Sequence, residues 1–228
     1  MFEPLAGHVE EESRSDCDFK LVEWEAHLEL GTSESSAGLE DKQVCICIFG
    51  THREQGANTF WNVAGTFFLS SNSVLSWKFC ILLHKLLHDG HPNVPRDSSL
   101  PVARLGELGH VWNHRHDRCG WLVAIFIMSI IKKVYFHIGW PVFTSGLAVK
   151  DGELGTAGES GIGAVFWLIM ELFACMDGEI NCFEAGSASL DLPRALSVTQ
   201  AGHCHLAPLT QVIPDPSLRV SRPMEVLL

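Results

Sequence analysis

Apolar positions between 74 and 88 recur every three to four residues. Trp77, Ile81, Leu82 and Lys85 follow at helical spacing, the period that gathers side chains on one face of an α-helix. Ser73 stands just before the run and predicts the N-cap, because its hydroxyl can accept from a free amide of the first turn. Gly90 predicts a left-handed stop, and Pro92 prevents the helix from resuming. Trp77, Phe79 and Leu83 are expected in the core, with Lys78 and Lys85 toward solvent. Phe60-Trp61-Asn62-Val63 predicts a short helix. Longer ones are predicted over 105–117, over 121–137 ahead of Gly139 and Pro141, and from Ala164 to about Met176. The glycine-rich stretch 146–163 reads as a loop. No strand-like alternation of any length competes, so the predicted class is all-α.

Trp121–Ile131 and Ile162–Met176 are the most apolar runs. Both are shorter than the ~20 residues of a spanning helix, which predicts buried core helices. Ala124, Ile125, Phe126 and Ile127 leave the helix at 121–137 almost without a polar face. Such a helix demands burial on every side, and any part left uncovered should be sticky.

Composition sharpens this picture. Of 228 residues, 46% are hydrophobic and 19% charged, which excludes a wholly disordered or collagen-like chain. The net charge of −11 argues against a nucleic-acid partner, which needs a basic face. Residues 1–41 hold 12 acids and 2 bases, so the acidity belongs to this segment. It reads as a largely disordered tail with one helix candidate at Phe19–Leu30. No basic start followed by an apolar stretch marks a secretory leader, and neither end carries a lipidation motif. None of the eight cysteines forms a Cys-x-x-Cys pair, and they are expected as reduced, mostly buried thiols of an intracellular protein.

Candidate chemistry is sparse. Six of the twelve histidines lie between 84 and 116. His84 and His88 are four apart, and His110, His114 and His116 follow on the next helix. There is neither a His-Glu-x-x-His nor a finger spacing, so scattered surface and cap histidines are expected and no metal site. A His-rich metal-binding protein is the rival. His203-Cys204-His205 would need an extended turn to act together. Gly158-Glu159-Ser160-Gly161-Ile162 lacks the second glycine of a nucleophile elbow, and Gly161-Ile162-Gly163 lacks the third glycine of a dinucleotide loop. No catalytic residue, cofactor or enzyme activity is therefore predicted. Arg115, Arg118, Lys132 and Lys133 are the densest bases and read as solvated helix ends. Lys132 and Lys133 also complement the dipole of a helix C-terminus.

Several stretches together carry a resemblance. They are Gly50-Thr51-His52 with Gly56-Ala57-Asn58-Thr59-Phe60-Trp61, and Leu75-Ser76-Trp77-Lys78-Phe79-Cys80 running on to His84-Lys85. Asp89-Gly90-His91-Pro92-Asn93-Val94 and His116-Asp117-Arg118 with Gly120 and Leu122-Val123 follow. Met170-Glu171-Leu172-Phe173 and Leu206-Ala207-Pro208-Leu209 with Gln211-Val212-Ile213 close the series. In this order the chain resembles the ANTH domains of the huntingtin-interacting protein 1 family, on the side of its related paralogue, over about residues 44–217.

The resemblance implies an all-α superhelical domain, a right-handed α-solenoid over 42–217, incomplete at its C-terminus and followed by a divergent tail at 218–228. It implies phosphoinositide binding by an adaptor of clathrin-mediated endocytosis, cytoplasmic and peripheral at clathrin-coated pits and vesicles. The clathrin and actin contacts of the family run through regions that this sequence lacks. The family's inositol-phosphate cluster ends in Lys-x-Lys-His just before Gly-Thr-His. The matching residues here are Glu40-Asp41-Lys42-Gln43, so Lys42 is the expected binding residue. Phosphate recognition needs several converging cations, and two acids beside one lysine predict a weakened lipid site or a protein-interaction fragment.

Overall fold

The computed structural model describes residues 41–115, 118–141, 143 and 162–190. Seven helices follow in order: α1 (Asp41–Glu54), α2 (Asn58–Ala64), α3 (Ser73–Asp89), α4 (Val94–Asp97), α5 (Val102–Asn113), α6 (Arg118–Gly139) and α7 (Ile162–Leu190). No strand occurs among the described residues. The candidate helix at Phe19–Leu30, the stretches Leu206–Leu209 and Gln211–Ile213, and most of the glycine-rich stretch lie outside them.

Helix α3 forms where expected, with two corrections at its ends. Its N-cap is Asn72, not Ser73. The extended backbone at Asn72 lets its Oδ1 accept from the amides of Val74 at 2.9 Å and Leu75 at 3.2 Å, and a carboxamide oxygen reaches both orphan donors where the next residue already has helical dihedrals. At the other end Gly90 is extended, with φ −77° and ψ −179°, and is not a left-handed stop. Glycine is required there for closeness. A Cβ would run into the Leu86 carbonyl oxygen and come within 3.1 Å of Thr51 Oγ1.

α1, α4 and α6 all pack on α3, leaving it little solvent face. Trp77, Phe79 and Leu83 are buried as expected. Lys78 is buried as well, contrary to the sequence expectation, and Lys85 is half-buried. Phe60 stacks on Phe79 with centroids 5.8 Å apart, and Trp77 meets Phe126 edge-on at 5.3 Å. Trp112, also buried, donates its Nε1–H to Ser76 Oγ at 3.2 Å, so its polar edge is satisfied.

α5 runs three residues earlier and stops four residues sooner than predicted. α6 extends three residues before and two beyond its predicted span. The stretch Gly120–Gly139 is thereby long and apolar enough to cross a membrane, yet 61% of it is buried inside the protein, as in a core helix. Leu122, Val123, Phe126, Ile127, Ile130 and Val134 face the core. Trp121, Met128 and Tyr135 are exposed, one residue every two turns.

α7 continues fourteen residues past its predicted end. Gly178 does not break it, because the backbone presses against α6 there: a Cβ at Gly178 would lie 3.3 Å from both Ser129 Oγ and Lys132 Cδ. The incomplete burial expected of α6 falls mainly on α7, where Phe166, Trp167, Met170, Phe173, Ile180 and Phe183 are exposed.

Lys132 and Lys133 are not a solvated helix end. Lys132 Nζ lies 3.5 Å from Asp177. Lys133 Nζ lies 3.2 Å from Glu179 Oε1, with side chains only 3% and 4% exposed, so this pair joins α6 to α7 in the interior. Both elements had to be in place for either lysine to find its acid.

Two outcomes follow for stability. Trp77→Ala should cost about 3–5 kcal/mol, the usual range for a buried aromatic; a melt within a degree or two of the parent would remove Trp77 from the core. Lys133→Met alone should cost about 3–5 kcal/mol by stranding a buried carboxylate, whereas Lys133→Met with Glu179→Leu should recover most of the loss. Chemical denaturation of the three variants measures both.

Candidate functional site

The candidate site opens α1. Asp41 and Lys42 are its first two residues, and the helical register sets position 42 on one face with positions 45, 49 and 53, where Cys45, Phe49 and Arg53 are exposed. The opposite face carries Gln43, Val44, Cys47 and Thr51, which are buried. Gln43, expected to match the family's histidine, is only 8% exposed, and its Oε1 is buried without a hydrogen-bond partner. It is turned into the protein. The dipole of α1 leaves partial positive charge at this end, which favours an anion.

What holds α1 is the far end of the helix. Thr51 Oγ1 donates to the Ile48 carbonyl at 2.7 Å and accepts from the His91 amide at 3.0 Å. His52 Nε2 lies 3.1 Å from the Asp89 carbonyl; a carbonyl only accepts, so this nitrogen carries the proton. Gln55 takes a left-handed φ of 59°, and its carbonyl accepts from Asn93 Nδ2 at 2.8 Å. The Ala57 amide donates to Asp97 Oδ2 at 2.9 Å, and Trp61 Nε1 to Ser98 Oγ at 3.1 Å. A Cβ at Gly56 would displace the Asp97 carboxylate.

Gly50-Thr51-His52, Gly56-Ala57 and Asp89-Gly90-His91-Pro92-Asn93-Val94 thus form one joint. They tie the end of α1 to the corner between α3 and α4. Thr51 lies nine residues from Lys42, about 13 Å along the axis at 1.5 Å per residue. The motif positions the site without forming it.

The other sequence candidates separate. His84 is buried, and its Nε2 accepts from Lys133 Nζ at 3.4 Å, so its lone pair is engaged inside the core. His88 Nδ1 lies 2.6 Å from Asp89 Oδ1. His84 and His88 therefore do not act as a pair. His110 and His114 do come together, with ring centroids 4.2 Å apart. Among the described residues no three His, Cys, Asp or Glu side chains gather to hold a metal. Arg115 lies over the Trp112 ring, 4.8 Å from its centroid. His116, His203-Cys204-His205 and the Gly158–Gly161 near-motif lie outside the described residues.

Sequence reasoning passed over a groove of about 780 Å³ between α5, α6 and α7, lined by Gly106, His110, Trp121, Ile125, Met128 and Glu184 among others. The helical spacing of Trp121, Ile125 and Met128 was its one signal.

The family model for the ANTH domain matches residues 31–217. The chain belongs to the ANTH domain family. It is 44% identical over 177 residues to human huntingtin-interacting protein 1, covering 78% of this chain and 17% of that protein. It is 30% identical over 186 residues to Huntington interacting protein related 1 of Caenorhabditis elegans, covering 81% of this chain and 20% of that one. The chain thus spans a fifth or less of the curated relatives it matches. Among solved structures, the ENTH domain of epsin-2 in complex with phosphatidylinositol 4,5-bisphosphate superposes with a TM-score of 0.75 at 17% identity, over 86% of this chain and 74% of that one. The endocytic adaptor complex AENTH gives 0.69 at 18% identity, over 90% and 86%. The fold is therefore the all-α fold of ENTH and ANTH domains.

Cysteines provide a check on this packing. Cys45, Cys47, Cys80, Cys175 and Cys182 are free thiols. Burial pushes the thiols of Cys47, Cys175 and Cys182 up to about 12 and raises that of Cys80 as well. At pH 8 these four are almost wholly protonated, and the thiolate is the nucleophile. Mass-mapped alkylation at pH 8 should mark exposed Cys45 first and the other four only after denaturation. Rapid native labelling of Cys80 would contradict the packing of α3.

Proposed function

We propose that this chain is a phosphoinositide-binding adaptor module of clathrin-mediated endocytosis whose lipid site is weakened. The observation that carries the reading is the ANTH match over 31–217, supported by a fold shared with an ENTH domain solved with phosphatidylinositol 4,5-bisphosphate. The reading divides the chain into an acidic segment at 1–41, the helical domain at 42–217 and a short segment at 218–228. Its role is non-enzymatic and cytoplasmic, peripheral to coated pits and vesicles. Links to clathrin and actin enter this reading through the family resemblance alone.

Lys42 binds the headgroup in this reading, at the positive end of α1. Glu40 and Asp41 oppose it. Each base near an anionic membrane surface contributes about 1 kcal/mol, so one lysine flanked by two acids leaves little net attraction. The segment 1–41 adds long-range repulsion, screened beyond about 8 Å at physiological salt. A second reading, a module acting through protein contacts, is favoured by the exposed apolar residues of α7, Phe166 to Phe183.

Sedimentation with vesicles containing phosphatidylinositol 4,5-bisphosphate separates the two. Weak binding is expected that falls further with Lys42→Ala. Glu40→Lys with Asp41→Lys should raise it about tenfold or more, in a salt-sensitive way, since two charge reversals change the attraction by several kcal/mol before screening. Gln43 stays unchanged because it is buried. No binding by the double variant would leave the protein-contact reading. Tight binding by the parent that survives Lys42→Ala would place the lipid elsewhere.

A further inference from the structure

We propose that His110 and His114 form a two-imidazole site for a divalent first-row transition metal of the nickel, copper and zinc class. The two residues are four apart at the end of α5, where i and i+4 side chains share a face. Both are exposed, and their ring centroids lie 4.2 Å apart with the rings tilted by 57°. Metal–nitrogen bonds of about 2.0–2.1 Å bring two ligating rings to a comparable separation, so a chelate closes with little side-chain movement.

The tautomer of His114 is already fixed. Its Nδ1 lies 2.8 Å from the His110 carbonyl oxygen. That oxygen only accepts, so the proton sits on Nδ1 and the lone pair is left on Nε2. A ring N–H given to a backbone carbonyl is the support that metal-bound imidazoles use, because it orients the ring and raises its basicity.

His110 also lines the groove between α5, α6 and α7, together with Asn113, Trp121 and Glu184. Its volume of about 780 Å³ leaves room for the water ligands that complete a two-histidine site. The other described histidine pairs lack this freedom. In each pair one lone pair is already taken, that of His84 Nε2 by Lys133 and that of His91 Nδ1 by the Asn93 amide at 3.2 Å. Imidazole nitrogen selects nickel, copper and zinc over magnesium and calcium, which take oxygen ligands. A metal held across the last turn of α5 clamps the entry to α6 and stabilises the folded chain by mass action.

The full chain, purified without a polyhistidine tag, is titrated calorimetrically with Ni²⁺, Zn²⁺ and Mg²⁺, and its thermal melt is followed with and without each ion. Ni²⁺ and Zn²⁺ should bind and raise the melting temperature, and Mg²⁺ should do neither. His110→Ala and His114→Ala should each lower the Ni²⁺ affinity at least tenfold and remove the shift. Without metal both should melt within a degree or two of the parent, since both side chains are exposed. His88→Ala should keep the parent's response. The proposal is overturned if Ni²⁺ produces no shift in the parent. It is equally overturned if both variants keep the shift, which would assign the metal to thiols or to other histidines.

Discussion

Helix α6 is apolar on nearly every side, and an apolar helix in water has to be enclosed. α3, α4, α5 and α7 all pack against it. Each fully buried Leu, Ile, Val or Phe side chain contributes about 1.5–3 kcal/mol, so the enclosure supplies much of the favourable free energy of folding. The polar intrusions on the buried side of α6 are Ser129, Lys133 and His137, spaced four residues apart and therefore in one line. α7 lies along that line, bringing Gly178 to Ser129 and Glu179 to Lys133. Hydrophobic burial alone would let α7 slide along α6. A buried ion pair is satisfied in one register only, and a closely packed glycine fixes the same register from the neighbouring position.

With α6 enclosed, α3 is held centrally, and its C-terminal corner becomes a fixed point from which α1 is hung. The joint there combines hydroxyl, imidazole, carboxamide and carboxylate contacts with two glycines that admit close approach. None of these groups needs to touch a ligand. The stretches most characteristic of the family, Gly-Thr-His and Asp-Gly-His-Pro-Asn-Val, are therefore positional. The residues that would read a phosphate sit two and a half turns away, at the start of α1. The first set can be kept whatever stands in the second, because the two share no contact.

The helical class, the aromatic core of α3 and the stop of α3 beside Gly90 were legible, because they depend on periodicity and on local backbone chemistry. What was not legible depended on partners distant in sequence. Lys133 looked like a surface base because Glu179, 46 positions away, could not be seen beside it. Lys78 looked solvated because an isolated helix has an outer face, and α3 has almost none. Gly90 looked like a conformational signal, but it is demanded by closeness to the Leu86 carbonyl of its own helix and to Thr51 of α1. The single-residue error at Asn72 is of a different kind. Two polar residues in a row can each cap a helix, and only the dihedral angles decide between them. At the candidate site, the burial of Gln43 was not legible from its place in a motif.

At the start of α1, folding and membrane attraction favour opposite charges. The free amides at a helix N-terminus attract an anion, whether it is a phosphate or a carboxylate of the chain itself. An aspartate at the first helical position stabilises the helix by about 0.3–1 kcal/mol through that dipole. The same negative charge opposes a phosphoinositide headgroup approaching the same end. Acidic substitution here is therefore favourable for local folding and unfavourable for membrane attraction. Basic residues have the reverse effect, accepting a small cost in helix stability for about 1 kcal/mol each at an anionic surface. The sequence found here, Glu40-Asp41-Lys42, puts two acids and one base at this end, so on the proposed reading the charges that suit the helix are the ones that reduce membrane attraction, and neither the joint at Thr51 nor the core around α6 depends on which of them is present.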